Sequence, residues 1–331
     1  MPRVTIEVLA ERLGLSTASV SYALNGLPGV SEATRSRVVA LAEELGWRPN
    51  VGARSLSRAR ADAVGLLLPR GPEDVGAEPY YMALLAGIES GLAEADTALM
   101  LRFVPGRDGA DLTVYRQWHA ERRVDGVFLT DLRFDDPRPA LLESLGVPYL
   151  VHGGRRSDSG WSFGQEQEAS LLVAHLAELG HRSLLLVAGP RSLVHEEERH
   201  RAVAAACEAA GIALTTVTAD YTHAGAATAV RTALAAGATA TAVLCTNDPM
   251  AVGALTALRA LGRDRRTALV SWDDSVLCET AAPAITAVQR RPYDAGRSSA
   301  RLLLAGLRGE APVPDPIHFR LVVRESSVPA S

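Results

Sequence analysis

The sequence predicts an all-α helix-turn-helix head followed by a larger α/β body with parallel sheets. Three observations carry this. Residues 1–60 hold short amphipathic helical segments separated by tight turns. Beyond Ala63, short apolar runs alternate with helical stretches of about a dozen residues. Charge is divided unevenly: residues 1–60 hold eight Arg against five acids, a balance of +3, and the remaining 271 residues carry −7. A small basic domain joined to an acidic one suits a head that meets phosphates and a body with another task.

In the head, Val4–Leu13 has apolar residues at helical spacing, and Gly14-Leu15-Ser16 is a short break. Ser16 is placed to cap a second helix, Thr17–Leu24. A turn containing Gly between two short helices is the helix-turn-helix pattern, in which the second helix enters the major groove. A third helix, capped by Ser31, runs from about Glu32 to Leu45, with Gly46 as its stop. Arg48-Pro49-Asn50 then breaks the helix, and Asn50 can cap a short segment from Val51 to Arg58. The predicted division is a head at 1–48, a hinge at 49–61 and a body at 62–331. Every basic residue outside histidine is Arg, which reads as codon bias in a G+C-rich genome.

The body's apolar runs are Val64–Leu68, Thr97–Phe103, Gly126–Thr130, Val147–Val151, Ser183–Ala188, Thr215–Thr218, Thr241–Cys245 and Ala268–Ser271. Helical stretches between them include Tyr80–Ala95, Glu166–Leu179, Arg199–Ala210, Ala224–Ala236 and Pro249–Leu261. This alternation argues for parallel sheets covered on both faces. Eight such units would also build a closed barrel, and pattern alone does not separate the two. The polar, Gly-rich stretch 153–160 reads as a crossing between two similar lobes.

Composition excludes several classes. No apolar stretch approaches the length of a membrane span, and no secretory signal opens the chain, so the expected location is the cytoplasm. Cys207, Cys245 and Cys278 fit neither a disulfide framework nor zinc spacing, and read as buried thiols. With no Lys there is no phosphate-binding Gly-Lys-Ser/Thr loop, and neither Gly-x-Gly-x-x-Gly nor Gly-x-Ser-x-Gly occurs. His195 and His200 are five apart rather than four, so they do not share a helical face as a zinc-protease pair would. No catalytic residue, metal or cofactor is expected.

Val4-Thr5-Ile6, Val20-Ser21, Leu24-Asn25-Gly26, Val30-Ser31, Thr34-Arg35, Arg48-Pro49-Asn50 and Ala53-Arg54-Ser55-Leu56 resemble the head of the lactose-repressor (LacI/GalR) family of bacterial regulators. The resemblance continues through Pro79-Tyr80-Tyr81, Val124-Asp125-Gly126-Val127, His175–Arg182, Ala188-Gly189-Pro190, Thr246-Asn247-Asp248 and Trp272-Asp273-Asp274. It spans essentially the whole chain. It implies a body of two periplasmic-binding-protein-like lobes joined by three crossovers, with an effector in the cleft between them. Lobe 1 would take about 62–161 and 290–318; lobe 2 would take about 162–289 and 319–331.

By the same resemblance, Thr17, Ala18 and Tyr22 are base-reading positions, with Ser16 and Ser21 beside them and Thr5 in the DNA-facing set. Many relatives carry Arg where this chain has Tyr22, so an operator sequence does not transfer. Asn25, Ser31 and Thr34 match phosphate contacts, although capping explains Ser31 equally well. Asn50, Ala53 and Leu56 fall in the family's hinge helix, where the leucine wedges into the minor groove at the operator centre. Tyr80, Tyr81, Arg199, Asn247, Trp272 and Asp273 match the effector site. A helix cap for Asn247, lobe core for Trp272 and an ion pair with the Glu196–Glu198 run for Arg199 are the structural alternatives. His152 stands where relatives often have Asp, and Gly164-Gln165 where they have Asp-Asn, which removes two acceptors for sugar hydroxyls.

The resemblance thus implies a ligand-responsive, sequence-specific regulator, a repressor of carbohydrate-related or other catabolic genes. Its expected partners are a pseudo-palindromic DNA operator, a small effector (a sugar or related metabolite) and a second copy in a homodimer, without a membrane. No heptad tail follows Leu321–Ser326, so no tetramer-forming coiled coil is expected. The alternatives are an α/β enzyme or a ligand-independent regulator carrying a DNA-binding head.

Overall fold

A computed structural model describes residues 4–47, 60–72, 76, 78–104, 109–152, 165–311 and 318–330. The chain divides into two compact units, Met1–Arg60 and Ala61–Ser331.

The first unit is three helices, α1 (Ile6–Leu13), α2 (Thr17–Leu24) and α3 (Glu32–Glu44). Gly14 ends α1 in the left-handed region, at φ 63°, a conformation that costs glycine nothing. The Ser16 and Ser31 hydroxyls cap α2 and α3 by accepting from the amides of Ser19 and Thr34. Leu9, Ala10, Val20, Ala23, Val38 and Ala42 form the small core, with Trp47 packed at its edge.

The second unit holds two open sheets, so the barrel alternative is set aside. The first sheet is wholly parallel, in the order β2 (Ala98–Phe103), β1 (Ala63–Leu68), β3 (Gly126–Leu129), β4 (Tyr149–Val151). Helices α4 (Pro79–Ala93), α5 (Ala110–Ala120) and α6 (Pro137–Leu145) connect it. After α7 (Gln165–Glu178) the chain builds the second sheet from β5 (Ser183–Ala188), β6 (Ala213–Thr218), β7 (Ala242–Cys245), β8 (Ala268–Ser271) and β9 (Thr286–Gln289). Helices α8 (Val194–Ala210), α9 (His223–Ala235), α10 (Asp248–Ala260) and α11 (Val276–Thr280) lie between them. Helix α12 (Pro292–Leu307) returns to pack on α4, and β10 (Arg320–Val322) closes the second sheet antiparallel to β9. The strand order there is β10-β9-β8-β7-β5-β6.

Central strands β1, β3, β7 and β8 are buried at every residue, as continuous apolar strands covered on both faces must be. Each sheet separates two apolar clusters, one per face. The α4–α12 contact is close because of glycine: a Cβ on Gly87 would lie 2.0 Å from the Tyr293 carbonyl oxygen, and one on Gly296 2.3 Å from that of Leu84. This packing ties the returning helix to the first sheet. Parallel strands also leave their carboxyl ends on one side of each sheet, where ligands of open α/β folds sit.

Candidate head surface and interlobe cleft

In the head, α2 buries Val20 and Ala23 and presents Thr17, Ala18 and Tyr22 outward; Tyr22 is 45% exposed. Ser16 is exposed at the amino end of the same helix. Ser21 is half-buried, and its carbonyl accepts from Asn25 Nδ2 at 2.9 Å. Asn25 therefore finishes α2, using its side chain within the head. Ser31 Oγ lies 2.9 Å from Thr34 Oγ1 as well as capping α3. Thr5 is exposed, and its hydroxyl holds the Glu7 carboxyl below its ordinary range. Arg35, to which the sequence reading gave no role of its own, donates to the carbonyls of Ala23 and Leu27 at 3.2 and 3.1 Å and so braces the turn after α2. Asn50, Ala53 and Leu56 lie outside the described residues, as does Gly164.

In the body, polar residues just beyond the strand ends converge on one open cleft. Arg70 follows β1, Thr130 and Asp131 follow β3, and His152 follows β4; Asp273 and Arg290 follow β8 and β9. Tyr80 and Tyr81 come from the first turn of α4, His195 and Arg199 from α8, and Tyr221 from the loop after β6. The first sheet and α4 thus supply one wall and the second sheet and α8 the other.

Two hydrogen-bonded networks hold these groups. In one, Arg70 donates from Nε to Asp131 at 2.8 Å and from Nη1 to Glu78 at 3.1 Å, and Tyr81 OH donates to Asp131 at 2.8 Å. The Arg70 guanidinium lies between the rings of Tyr81 and Tyr221, 4.9 and 4.6 Å from their centroids. In the other, Arg290 donates to Glu168 at 2.7 Å and to Asp273 at 3.0 Å, below the ring of Tyr80 at 5.2 Å. Tyr80 OH meets His152 Nε2 at 3.1 Å, and His152 Nδ1 meets Ser299 Oγ at 3.0 Å. Arg199 is held by Glu196 at 2.7 Å and by the Thr246 carbonyl at 3.2 Å.

Burial and charge act differently on the carboxyls. Burial pushes Asp131 up, but the Arg70 guanidinium, His195 and the hydrogen bonds from Arg70 and Tyr81 outweigh it and hold the group well below its ordinary value. Asp273 is pushed up to about 7, chiefly by burial, with Arg290 only partly offsetting. The reason is visible in the geometry: one guanidinium serves both Asp273 and Glu168, and Asp248 adds a further negative charge. Burial likewise lowers His152 to about 3 and His195 to about 4, with Arg290 and Arg199 respectively adding to it, so both rings are neutral at pH 7.

Of the effector residues expected from the sequence, Tyr80, Tyr81, Arg199 and Asp273 line the cleft. Arg199 also makes the ion pair with Glu196, but as a buried pair rather than a surface one. Two expectations change. Trp272 is fully buried in the core of the second sheet, with Nε1 donating to Glu168 at 3.1 Å; its ring supports the Arg199 guanidinium from 5.5 Å instead of facing the cleft. Asn247 is 1% exposed and caps α10 through Oδ1, while Nδ2 donates to Glu78 and to the Tyr221 carbonyl. It holds lining residues from behind. Arg70, Glu78, Thr130, Asp131, Tyr221 and Arg290 were not singled out, and His195 was weighed only as a metal ligand. For Arg70, Thr130 and Asp131 the signal was positional, since polar residues just after apolar runs mark strand ends; the others carried no such signal.

Cys207, Cys245 and Cys278 are free and buried. Among the described residues no group of His, Cys, Asp and Glu is arranged to hold a metal ion, and no helix is long and apolar enough to cross a membrane.

Comparison with known proteins agrees with this architecture. Residues 5–50 match the bacterial regulatory proteins of the lacI family, and residues 173–327 match the periplasmic binding protein-like domain. The HTH-type transcriptional regulator CelR of Thermobifida fusca is 34% identical, over 98% of both chains. AglR of Rhizobium meliloti, also an HTH-type transcriptional regulator, is 31% identical over 99% of this chain and 95% of its own. Among solved structures, a CelR–cellobiose complex is 32% identical, with a TM-score of 0.74 over 98% of this chain and 100% of that one. The lac repressor dimer bound to operator and the anti-inducer ONPF is 25% identical, with a TM-score of 0.83 over 98% and 99%. A helix-turn-helix head, an α/β body with parallel sheets and whole-chain similarity to such regulators lead to one conclusion: the chain belongs to the lacI family of bacterial regulatory proteins, DNA-binding transcriptional regulators with a periplasmic-binding-protein-like body.

Proposed function

We propose that this protein is a cytoplasmic repressor without catalytic activity, which binds a pseudo-palindromic operator as a homodimer and responds to a neutral saccharide in the cleft. The head (1–48), the hinge (49–61) and the two lobes of the body are its working parts. The observation that carries the effector class is the cleft's charge balance. Three guanidiniums (Arg70, Arg199, Arg290) face three carboxyls (Glu78, Asp131, Asp273), among tyrosine and neutral histidine groups. Such a lining offers paired donors and acceptors to hydroxyls, and the carboxyls beside the guanidiniums weaken its pull on an anion. The cellobiose complex of a relative 32% identical supports the same class.

Within this reading Tyr80, Tyr81, Arg199, Arg290 and Asp273 contact the effector, and Asn247 and Trp272 position their neighbours. His152, which replaces an expected acid, orients the Tyr80 hydroxyl. In the head, Thr17, Ala18 and Tyr22 face base edges, with Thr5, Ser16, Ser21, Asn25, Ser31 and Thr34 toward the backbone; Asn50, Ala53 and Leu56 form the hinge. The test is operator binding by fluorescence anisotropy, on a site found by genomic footprinting, with and without cellobiose and other neutral sugars. A sugar should shift operator affinity in the wild type, and Asp273→Ala should abolish the shift while DNA is still bound. Leu56→Ala should weaken operator binding and leave sugar binding intact. An operator complex indifferent to every sugar would sink the effector reading; the absence of any bound site would sink the regulator reading.

A further inference from the structure

We propose that Arg70, Thr130 and Asp131 form a second saccharide subsite, which makes the cleft select a disaccharide over a monosaccharide. The proposal rests on the reading of the cleft as a neutral-saccharide site and adds the length of its ligand.

Consecutive residues of α4 feed the two networks of the cleft. Successive side chains on a helix point about 100° apart, and the Tyr80 and Tyr81 rings meet edge to face, 5.6 Å apart at 88°. Tyr80 faces His152, Arg290 and Asp273. Tyr81 faces Asp131 and Arg70. The same cavity touches both sides.

The second side is built to hold a polar ligand. Arg70 lies over the rings of Tyr81 and Tyr221 and is held by Asp131 and Glu78. Among the described residues Nη2 makes no hydrogen bond, and it is the donor for a ligand. Asp131 Oδ2 already accepts from Arg70 and Tyr81, and Oδ1, which accepts no hydrogen bond among the described residues, is the acceptor beside it. A carboxylate next to a guanidinium presents an acceptor and a donor at the spacing of neighbouring hydroxyls on a sugar ring.

Thr130 supplies an independent pointer. It lines the cavity, is 3% exposed, and among the described residues its hydroxyl has no hydrogen-bond partner. A buried hydroxyl left unpaired is costly, and a ligand hydroxyl at this position relieves that cost. The carboxylates of Asp131 and Glu78 flanking Arg70 disfavour an anion, which leaves a neutral glycosyl unit as the group that fits.

The experiment is calorimetric titration of the full-length protein with five neutral disaccharides (cellobiose, maltose, lactose, sucrose and melibiose) and with their component monosaccharides. Thr130→Val keeps the side-chain shape and removes only the unpaired hydroxyl, so the fold should tolerate it; Asp131→Asn is the second variant. At least one disaccharide should bind the wild type more tightly than either of its halves. Thr130→Val should lower that disaccharide-to-monosaccharide affinity ratio about three- to tenfold, the range for one neutral hydrogen bond, and Asp131→Asn should lower it further. Equal affinity for disaccharide and monosaccharide, or a ratio unmoved by both variants, overturns the subsite while the saccharide reading stands. Silence toward every sugar, with operator binding retained, overturns the saccharide reading and the subsite with it.

Discussion

The recognition helix and the cleft place their functional groups in opposite environments. Thr17, Ala18 and Tyr22 stand on the exposed face of a helix whose other face makes the core. Arg199, Arg290 and Asp273 are buried and tied to partners on other elements. A surface of the first kind can change its DNA sequence preference with little effect on folding. In the cleft each binding group is also part of the packing, so ligand recognition and stability change together.

The largest break in this comparison is expected at Arg290. Its guanidinium joins Glu168 and Asp273, both buried. Arg290→Met leaves two buried carboxyls without their cation and should cost about 3–5 kcal/mol, the range for breaking a buried ion pair from one side. Urea denaturation measures it directly. A loss below about 1 kcal/mol, the size of a surface pair, would mean that the network is solvated and that the contrast with the head fails.

Tyr22→Ala is the matching change in the head. The side chain is 45% exposed, so stability should move by no more than about 0.5 kcal/mol. Operator affinity should fall about tenfold, within the ~1–3 kcal/mol that a good base contact supplies. Unchanged affinity on the footprinted site would move base reading to other residues of α2.

The same contrast governs what was legible in the sequence. Helix α2 was readable to the residue, Thr17–Leu24, because Ser16 and the apolar spacing are local signals. Strands β1 and β3 were readable because burial on both faces demands unbroken apolar runs. The strand Thr286–Gln289 was not: polar Thr286 and Gln289 leave only two apolar residues between them, and its edge partner, Arg320–Val322, lies some thirty residues further on. The cleft networks were hidden for a related reason. Arg70 meets Asp131 across 61 residues and Arg290 meets Glu168 across 122, and neither member of a pair carries a motif. Trp272 misled because an aromatic beside the expected ligand acid looks the same in sequence whether it faces the cleft or supports it.

Acidity separates the regions further. Asp273 is raised from 3.8 to about 7, so the folded protein binds more protons than the unfolded chain between about pH 4 and 7. Its stabilising contribution is complete in acid and is lost as pH rises through that window. His152 and His195, lowered from 6.5 to about 3 and 4, act in the opposite sense, adding stability as pH rises toward 6.5. Asp273→Asn leaves both histidines in place. The stability difference between wild type and Asp273→Asn should therefore move against the wild type as pH rises from 4 to 7. A constant difference would show that Asp273 titrates at its ordinary value.

The smallest effect asks whether a head residue can serve folding and DNA at once. Ser31 caps α3 by accepting from the Thr34 amide at 3.3 Å, and it is exposed at that helix's amino end. Ser31→Ala should cost the head about 1 kcal/mol, the usual loss for a helix cap, seen as faster amide exchange along α3. Ser31→Asp restores a capping oxygen and suits the positive end of the helix, so exchange should return to the wild-type rate. Toward a DNA phosphate, however, the new carboxylate is repulsive. If Ser31 also meets the backbone, operator affinity stays low in Ser31→Asp although the helix is repaired, and the deficit shrinks as salt screens it. Recovery of both properties would make Ser31 a cap alone and would sharpen the division between residues that build the head and residues that read DNA.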